Sequence, residues 1–154
     1  MSFWLRELTV ESLLKAASEF EGERIEAAGL SGPVIGDKIE QVFLGRLEGQ
    51  DFDIGRNVKR VAGRPDLPNL NCDIKALQLR GRRGGSAKIH GYSKDEKPPS
   101  YDMLVLTYSY DGEAIEIIHS HFIPCDSVKW VRAQHYTFSV PDRNLKKFRV
   151  RESC

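Results

Sequence analysis

Arg64-Pro65-Asp66-Leu67-Pro68-Asn69-Leu70-Asn71-Cys72-Asp73-Ile74-Lys75 is the stretch on which the reading of this chain turns. Pro68 and Asn69 mark a turn. Cys72 to Leu79 has the composition of a strand. Side chains alternate along a strand with a period of two, so Asp73 and Lys75 point to one face. The turn can fold Asp66 back toward them. Two carboxylates and one ammonium are then expected at a single point.

Hydrolysis of a phosphodiester needs such a group. The scissile phosphate is anionic and repels an incoming water. Asp66 and Asp73 suit Mg²⁺, a hard ion that prefers oxygen, with Mn²⁺ as a substitute. The backbone carbonyl of Ile74 offers another oxygen. The ion would neutralise phosphate charge and acidify bound water. Lys75 would orient the attacking water or stabilise charge in the transition state. A D-x-K triplet alone is a weak signal, because an ion pair on a strand surface contributes little. Its weight rises here through the preceding Pro-Asp, the upstream helix with Glu40, and the basic surroundings.

Toward the N-terminus, Val10, Leu13, Leu14, Ala17 and Phe20 recur at helical spacing. They predict an amphipathic helix over 10–20, with Thr9 as N-cap and an end near Gly22. Gly29, Gly32 and Pro33 read as a break. A second helix is expected from about Gly36 to Leu47, with Ile39, Val42, Phe43 and Leu47 as its apolar stripe. Asp37 suits its positive end. Glu40 follows Ile39 and is expected at the rim of the core. Residues 49–64 are polar and rich in Gly, Asp and Arg.

Toward the C-terminus, Arg80 to Ser86 reads as a basic loop and Ser93 to Ser100 as another. Tyr101 to Tyr110 is strand-like, Asp111-Gly112 is a hairpin turn, and Glu113 to Phe122 returns. Asp126 to Gln134 reads as a short helix capped by Asp126. Helices followed by mostly antiparallel strands predict one α/β domain over 1–154, with a central mixed sheet flanked by helices.

The bulk properties agree with that frame. A chain of 154 residues with 40% hydrophobic content can bury one real core. No apolar run approaches a membrane span, and the start lacks a secretory pattern. The expectation is a cytoplasmic protein with no membrane partner. Cys72, Cys125 and Cys154 are odd in number and widely spaced, which argues against a disulfide framework or a cysteine-type zinc site. His119 and His121 share a strand face, but their spacing with Cys125 or His135 fits no common zinc pattern. Tyr101, Tyr108, Tyr110 and Trp130 read as packing residues rather than base-stacking ones.

Charge is unevenly placed. Residues 1–55 carry 5 Lys/Arg against 11 Asp/Glu, residues 56–90 carry 9 against 2, and residues 91–154 carry 9 against 9. The basic middle could contact phosphates. Arg80, Arg82, Arg83 and Lys88 follow the strand with Lys75 and are expected to grip DNA, as is Arg64. Lys59 and Arg60 are weaker candidates. Lys146, Lys147, Arg149 and Arg151 read as an ordinary basic tail.

Gly36-Asp-Lys-Ile-Glu40-Gln-Val-Phe-Leu-Gly45 resembles the G-x-x-x-E…L-G helix of the MutH family, within the PD-(D/E)xK nucleases. Asp66, Asp73 and Lys75 are similar to that family's D-x6-E-x-K pair, with the same gap of six. Leu13-Leu14-Lys15-Ala16-Ala17…Gly29-Leu30 resembles the family's helical lead-in. The likeness covers roughly residues 10–80. It implies a restriction-endonuclease-like fold and a magnesium-dependent endonuclease. It implies that Glu40, Asp66, Asp73 and Lys75 are the catalytic set, with Glu40 as an added metal ligand or water-positioning group. Asp73 stands where MutH-like proteins usually carry Glu, an exchange the wider superfamily allows. The second half of the chain does not match the family's DNA-recognition half, and the sequence supports no MutL-like activator.

The expected substrate is double-stranded DNA. A monomer would nick it, and a homodimer would break both strands at a palindrome. The sequence leans toward a type II restriction enzyme over a repair nickase. A structure-selective repair nuclease or junction resolvase would use the same centre. A non-catalytic DNA-binding module would retain only the fold.

Overall fold

The computed structural model describes residues 5–55, 65–79, 86–91, 100–127, 131–132, 136–141 and 145–150, with backbone alone for 86–91, 131–132 and 136–141. The first α-helix, α1, spans Val10–Phe20 as the apolar spacing predicts. Its start is set by Thr9, whose Oγ1 accepts the Ser12 amide at 3.1 Å. Leu13, Ala16, Ala17 and Phe20 are buried, while Val10 stays exposed.

The second helix, α2, spans Gly32–Gly49 and begins four residues before the expected start at Gly36. Gly32-Pro33 opens the helix instead of breaking the chain. Proline is tolerated in a first turn, where its missing N–H has no helical partner. Asp37 is therefore in the second turn, away from the positive end. Ile35, Ile39, Phe43, Leu44 and Leu47 are buried, and Phe43 meets Phe20 of α1 at 5.3 Å between ring centroids.

Nine strands are described. They are β1 (Arg6–Glu7), β2 (Arg24–Glu26), β3 (Phe52–Asp53), β4 (Cys72–Gln78), β5 (Ser86–Gly91), β6 (Asp102–Tyr110), β7 (Ala114–Ile123), β8 (Val131–Arg132) and β9 (Tyr136–Pro141). The central sheet has the order β2-β7-β6-β4. β4 runs parallel to β6, while β6–β7 and β2–β7 are antiparallel. The sheet is mixed, as expected, and β4, which carries Asp73 and Lys75, is its parallel member. β1 and β3 form a separate parallel pair, and β5, β9 and β8 form an antiparallel three-stranded sheet.

The Asp111-Gly112 turn joins β6 to β7. Gly112 has φ +96°, and the Asp111 carboxylate accepts the amides of Glu113 and Ala114 at 2.9 and 2.8 Å. Those amides, above all that of Ala114, hold the Asp111 carboxyl below its ordinary range.

Two expectations fail. No α-helix runs from Asp126 to Gln134. Asp126 lies in a 3-10 turn, Cys125–Ser127, and the chain is extended again at Val131. Ser86, placed in a loop by the sequence, starts β5. In both segments strand pairing with β9, rather than local pattern, decides.

The central sheet separates two cores. On one face, Ile74, Leu104, Leu106, Tyr108, Ile115 and Ile117 pack with residues of α1 and α2. On the other, Met103, Val105 and Ile123 pack with Tyr101, Leu145, Leu77 and Phe148. No described helix is long and apolar enough to cross a membrane.

Candidate active site

A short hairpin explains why six residues separate Asp66 from Asp73. Leu67 and Cys72 pair as an antiparallel bridge: the Leu67 amide donates to the Cys72 carbonyl at 2.9 Å, and the Cys72 amide returns to Leu67 at 3.2 Å. The loop between them is closed by the 3-10 turn Pro68–Leu70 and by Asn71, which adopts the left-handed conformation at φ +48°. Asn is among the residues that tolerate it. Moving outward one residue on each arm of that bridge brings Asp66 opposite Asp73. The register of the turn therefore forces the two carboxylates together.

The contacts bear this out. The Asp66 amide donates to Asp73 Oδ1 at 3.2 Å. The Ile74 amide, which faces the free edge of β4, donates to Asp66 Oδ2 at 3.1 Å. N–H and C=O of one strand residue point the same way, so the Ile74 carbonyl is directed to that edge too. Lys75 Nζ lies 3.1 Å from Asp73 Oδ2. The strand alternation had placed Asp73 and Lys75 on one face, and their side chains meet there.

Glu40 comes from α2, the helix that packs along β4. Its carboxyl lies within the fields of Asp66, Lys75 and Asp73. Asp66, Asp73 and Lys75 therefore meet through direct contacts made by local sequence, and Glu40, from a distant helix, lies near enough to feel their charges.

The electrostatics are those of crowded acids. Burial, reinforced by the charge of Asp66, pushes Glu40 up to about 8. Burial, then a hydrogen bond with the Asp73 carboxyl and the charge of Asp73, push Asp66 up to about 7. Like charges placed directly opposite on paired strands are destabilising, and a shared proton relieves them. Burial alone would depress Lys75, but the charges of Asp73, Tyr101 and Glu40 outweigh it and hold the ammonium above its ordinary range. The lysine is charged at any working pH.

This donor set fits Mg²⁺. Two facing carboxylates that must share a proton are relieved by a divalent cation as well as by that proton. No described group of three or more His, Cys, Asp and Glu side chains forms a ready metal cage. Magnesium does not demand one, since it commonly keeps several waters and takes one or two carboxylates plus substrate oxygens. Asp66 and Asp73 would hold the ion, with the Ile74 carbonyl and Glu40 around it.

The remaining expectations divide. Arg64, Arg80, Arg82 and Arg83 lie outside the described residues, as do Lys59, Arg60, Arg151, Trp130, His135 and Cys154. Lys88 is placed by its backbone alone, opposite Ser139 in β5–β9. Cys72 is buried, and burial pushes its thiol well above the ordinary range; Cys125 is exposed. Tyr101 and Tyr108 are buried in the cores. The Tyr110 hydroxyl donates toward Ala27 and Gly112 carbonyls at 2.5 and 3.0 Å.

Sequence reasoning missed a second polar cluster. Glu21, at the end of α1, accepts the Ser120 hydroxyl at 3.0 Å and lies 3.5 Å from His119 Nδ1. Arg149 donates to that same Nδ1 at 3.0 Å, and His121 donates from Nδ1 to the Leu145 carbonyl at 2.9 Å. Only the His119–His121 spacing hinted at this cluster, and it gave no sign of Glu21 or Arg149.

Comparison with family models, with curated proteins and with solved structures gave no match.

Proposed function

We propose that this chain is a metal-dependent DNA endonuclease of the PD-(D/E)xK type, with a restriction-endonuclease-like fold. One observation carries the reading: a six-residue hairpin holds Asp66 and Asp73 face to face with Lys75 bound to the second of them. Proteins do not gather buried like charges for stability, so the arrangement is suited to a cation.

Bound Mg²⁺ would supply Lewis acidity toward the phosphate and acidify water. Asp66 and Asp73 would hold and orient the ion. Lys75, kept charged by its acidic neighbours, stabilises negative charge that grows on the phosphate. Glu40, protonated near neutral pH, holds a proton at the edge of the site. The basic stretch 56–90 supplies the attraction to DNA.

Site-specific cleavage of the restriction or MutH type is the finer form of the proposal. Incubation of supercoiled plasmid with Mg²⁺ tests it. Discrete linear fragments support a restriction-like enzyme, and nicked circles support a MutH-like nickase. Cleavage confined to branched or mismatched DNA would favour the resolvase or repair reading. If wild type and Asp73→Ala are equally inert on every DNA form with Mg²⁺ and Mn²⁺, the nuclease proposal fails and a binding module remains.

A further inference from the structure

The C-terminal basic segment is not a loose tail. Leu145 and Phe148 insert into the core formed by Met103, Val105, Ile123, Tyr101 and Leu77. Between them the 3-10 turn Lys146–Phe148 presents Lys146 and Lys147 to solvent. The turn is clasped at both ends. His121 holds the Leu145 carbonyl, His121 also pairs with Arg149 as a β-bridge, and the Arg149 guanidinium holds His119.

This turn covers the face of the sheet that bears the candidate catalytic pair. Met103 and Val105 pair in register with Asp73 and Lys75, and cross-strand partners share a face. Val105 in turn pairs with His121, so Lys75, Val105 and His121 form one row across three strands. Two strand spacings separate Lys75 from His121, about 10 Å along the sheet. Measured at the ~3.4 Å rise of one DNA strand, that is about three nucleotide steps.

We infer that Lys146 and Lys147 form a phosphate-binding platform that tracks the DNA backbone beside the catalytic edge, a reading that rests on the nuclease proposal for its ligand. Two properties distinguish this pair from scattered surface lysines. The side chains leave a turn fixed by buried anchors on both sides, so little backbone order is lost when a phosphate binds. They also stand on the face of the sheet that bears Asp73 and Lys75, opposite the layer of α1 and α2.

The test is binding of the full chain to a linear duplex, in EDTA so that no cutting occurs, across a salt series from 20 to 200 mM. The double variant Lys146→Glu/Lys147→Glu should bind at least about tenfold more weakly, with a log K against log salt slope shallower by about 1.8, as for two lost phosphate contacts. Lys15→Glu, an equal reversal per site on exposed α1 across the sheet, should change affinity less than about twofold and leave the slope unchanged. Equal effects of the two reversals, or none from either, overturn the platform while leaving the nuclease reading intact. A wild-type chain with no affinity for duplex even at the lowest salt overturns both.

Discussion

Two polar clusters sit at opposite sides of the central sheet, and they are built on opposite logic. At the β4 edge, the carboxyls of Asp66 and Asp73 face each other, Glu40 lies within their fields, and Lys75 pairs with Asp73. On β7, complementary groups meet: Glu21 accepts from Ser120, Arg149 donates to His119, and His121 donates to a carbonyl. The second cluster fastens α1 and the C-terminal turn to the sheet. The first is incomplete without a proton or a cation.

Mutation should separate the two most widely in activity. Asp73→Ala or Lys75→Ala should lower Mg²⁺-dependent plasmid cleavage by about 10²–10³-fold or more, while His119→Ala should leave the rate within about threefold because it changes no group at the reacting centre. Comparable losses from both would erase the distinction.

Stability should show the reverse order. Glu21→Ala strands the buried Ser120 hydroxyl and the facing His119, and should cost about 1–3 kcal/mol in urea unfolding. Glu40→Gln replaces an acid that is already neutral near pH 7, and should be neutral or stabilising without metal. A Glu40→Gln variant as unstable as Glu21→Ala would mean that the acidic cluster is structural.

The pH dependence of the metal-free protein sharpens the contrast. Glu40 and Asp66 are raised in the folded state to about 8 and about 7, so the folded chain binds more protons than the unfolded one from roughly pH 4 to 8. Their contribution is fully present at low pH and is lost as pH rises through that window. Burial depresses His121 to about 4, which the Leu145 hydrogen bond only partly offsets. There the unfolded chain binds the extra proton, so stability rises from about pH 4 to 6.5. Glu40→Gln should remove part of the alkaline decline, and His121→Asn part of the acidic rise, in melting temperatures taken across pH 4–8. Mg²⁺ should raise the melting temperature more at pH 8 than at pH 5.5, since it takes the place of protons.

The smallest effect is expected at Gly55. Its φ is +56°, and a Cβ there would lie 2.8 Å from the Asn69 side chain of the hairpin loop. Gly55→Ala should cost about 1 kcal/mol and disturb Asp66 through the loop, which a modest fall in cleavage with unchanged secondary structure by circular dichroism would report.

How much of this could be read beforehand differs from residue to residue. Thr9 and the apolar spacing that follows marked the start of α1 and its end to within two residues, because capping and helical periodicity are local. Pro33 misled, since proline both breaks helices and opens them, and only the packing of Ile35 into the core chooses between the two. The helix expected over 126–134 failed because an Asp cap without an apolar stripe carries little information against strand pairing.

The sequence alone determined the facing of Asp66, Asp73 and Lys75. A turn-forming Pro-Asn within a six-residue gap and the period of two along a strand are enough, since both act over a few bonds. It did not determine that Glu40 would reach them from α2, that β4 would lie parallel to β6, or that Lys146 and Lys147 would be carried onto the same face. Those placements depend on which apolar surfaces bury one another across tens of residues, and that choice is made only when the whole chain packs.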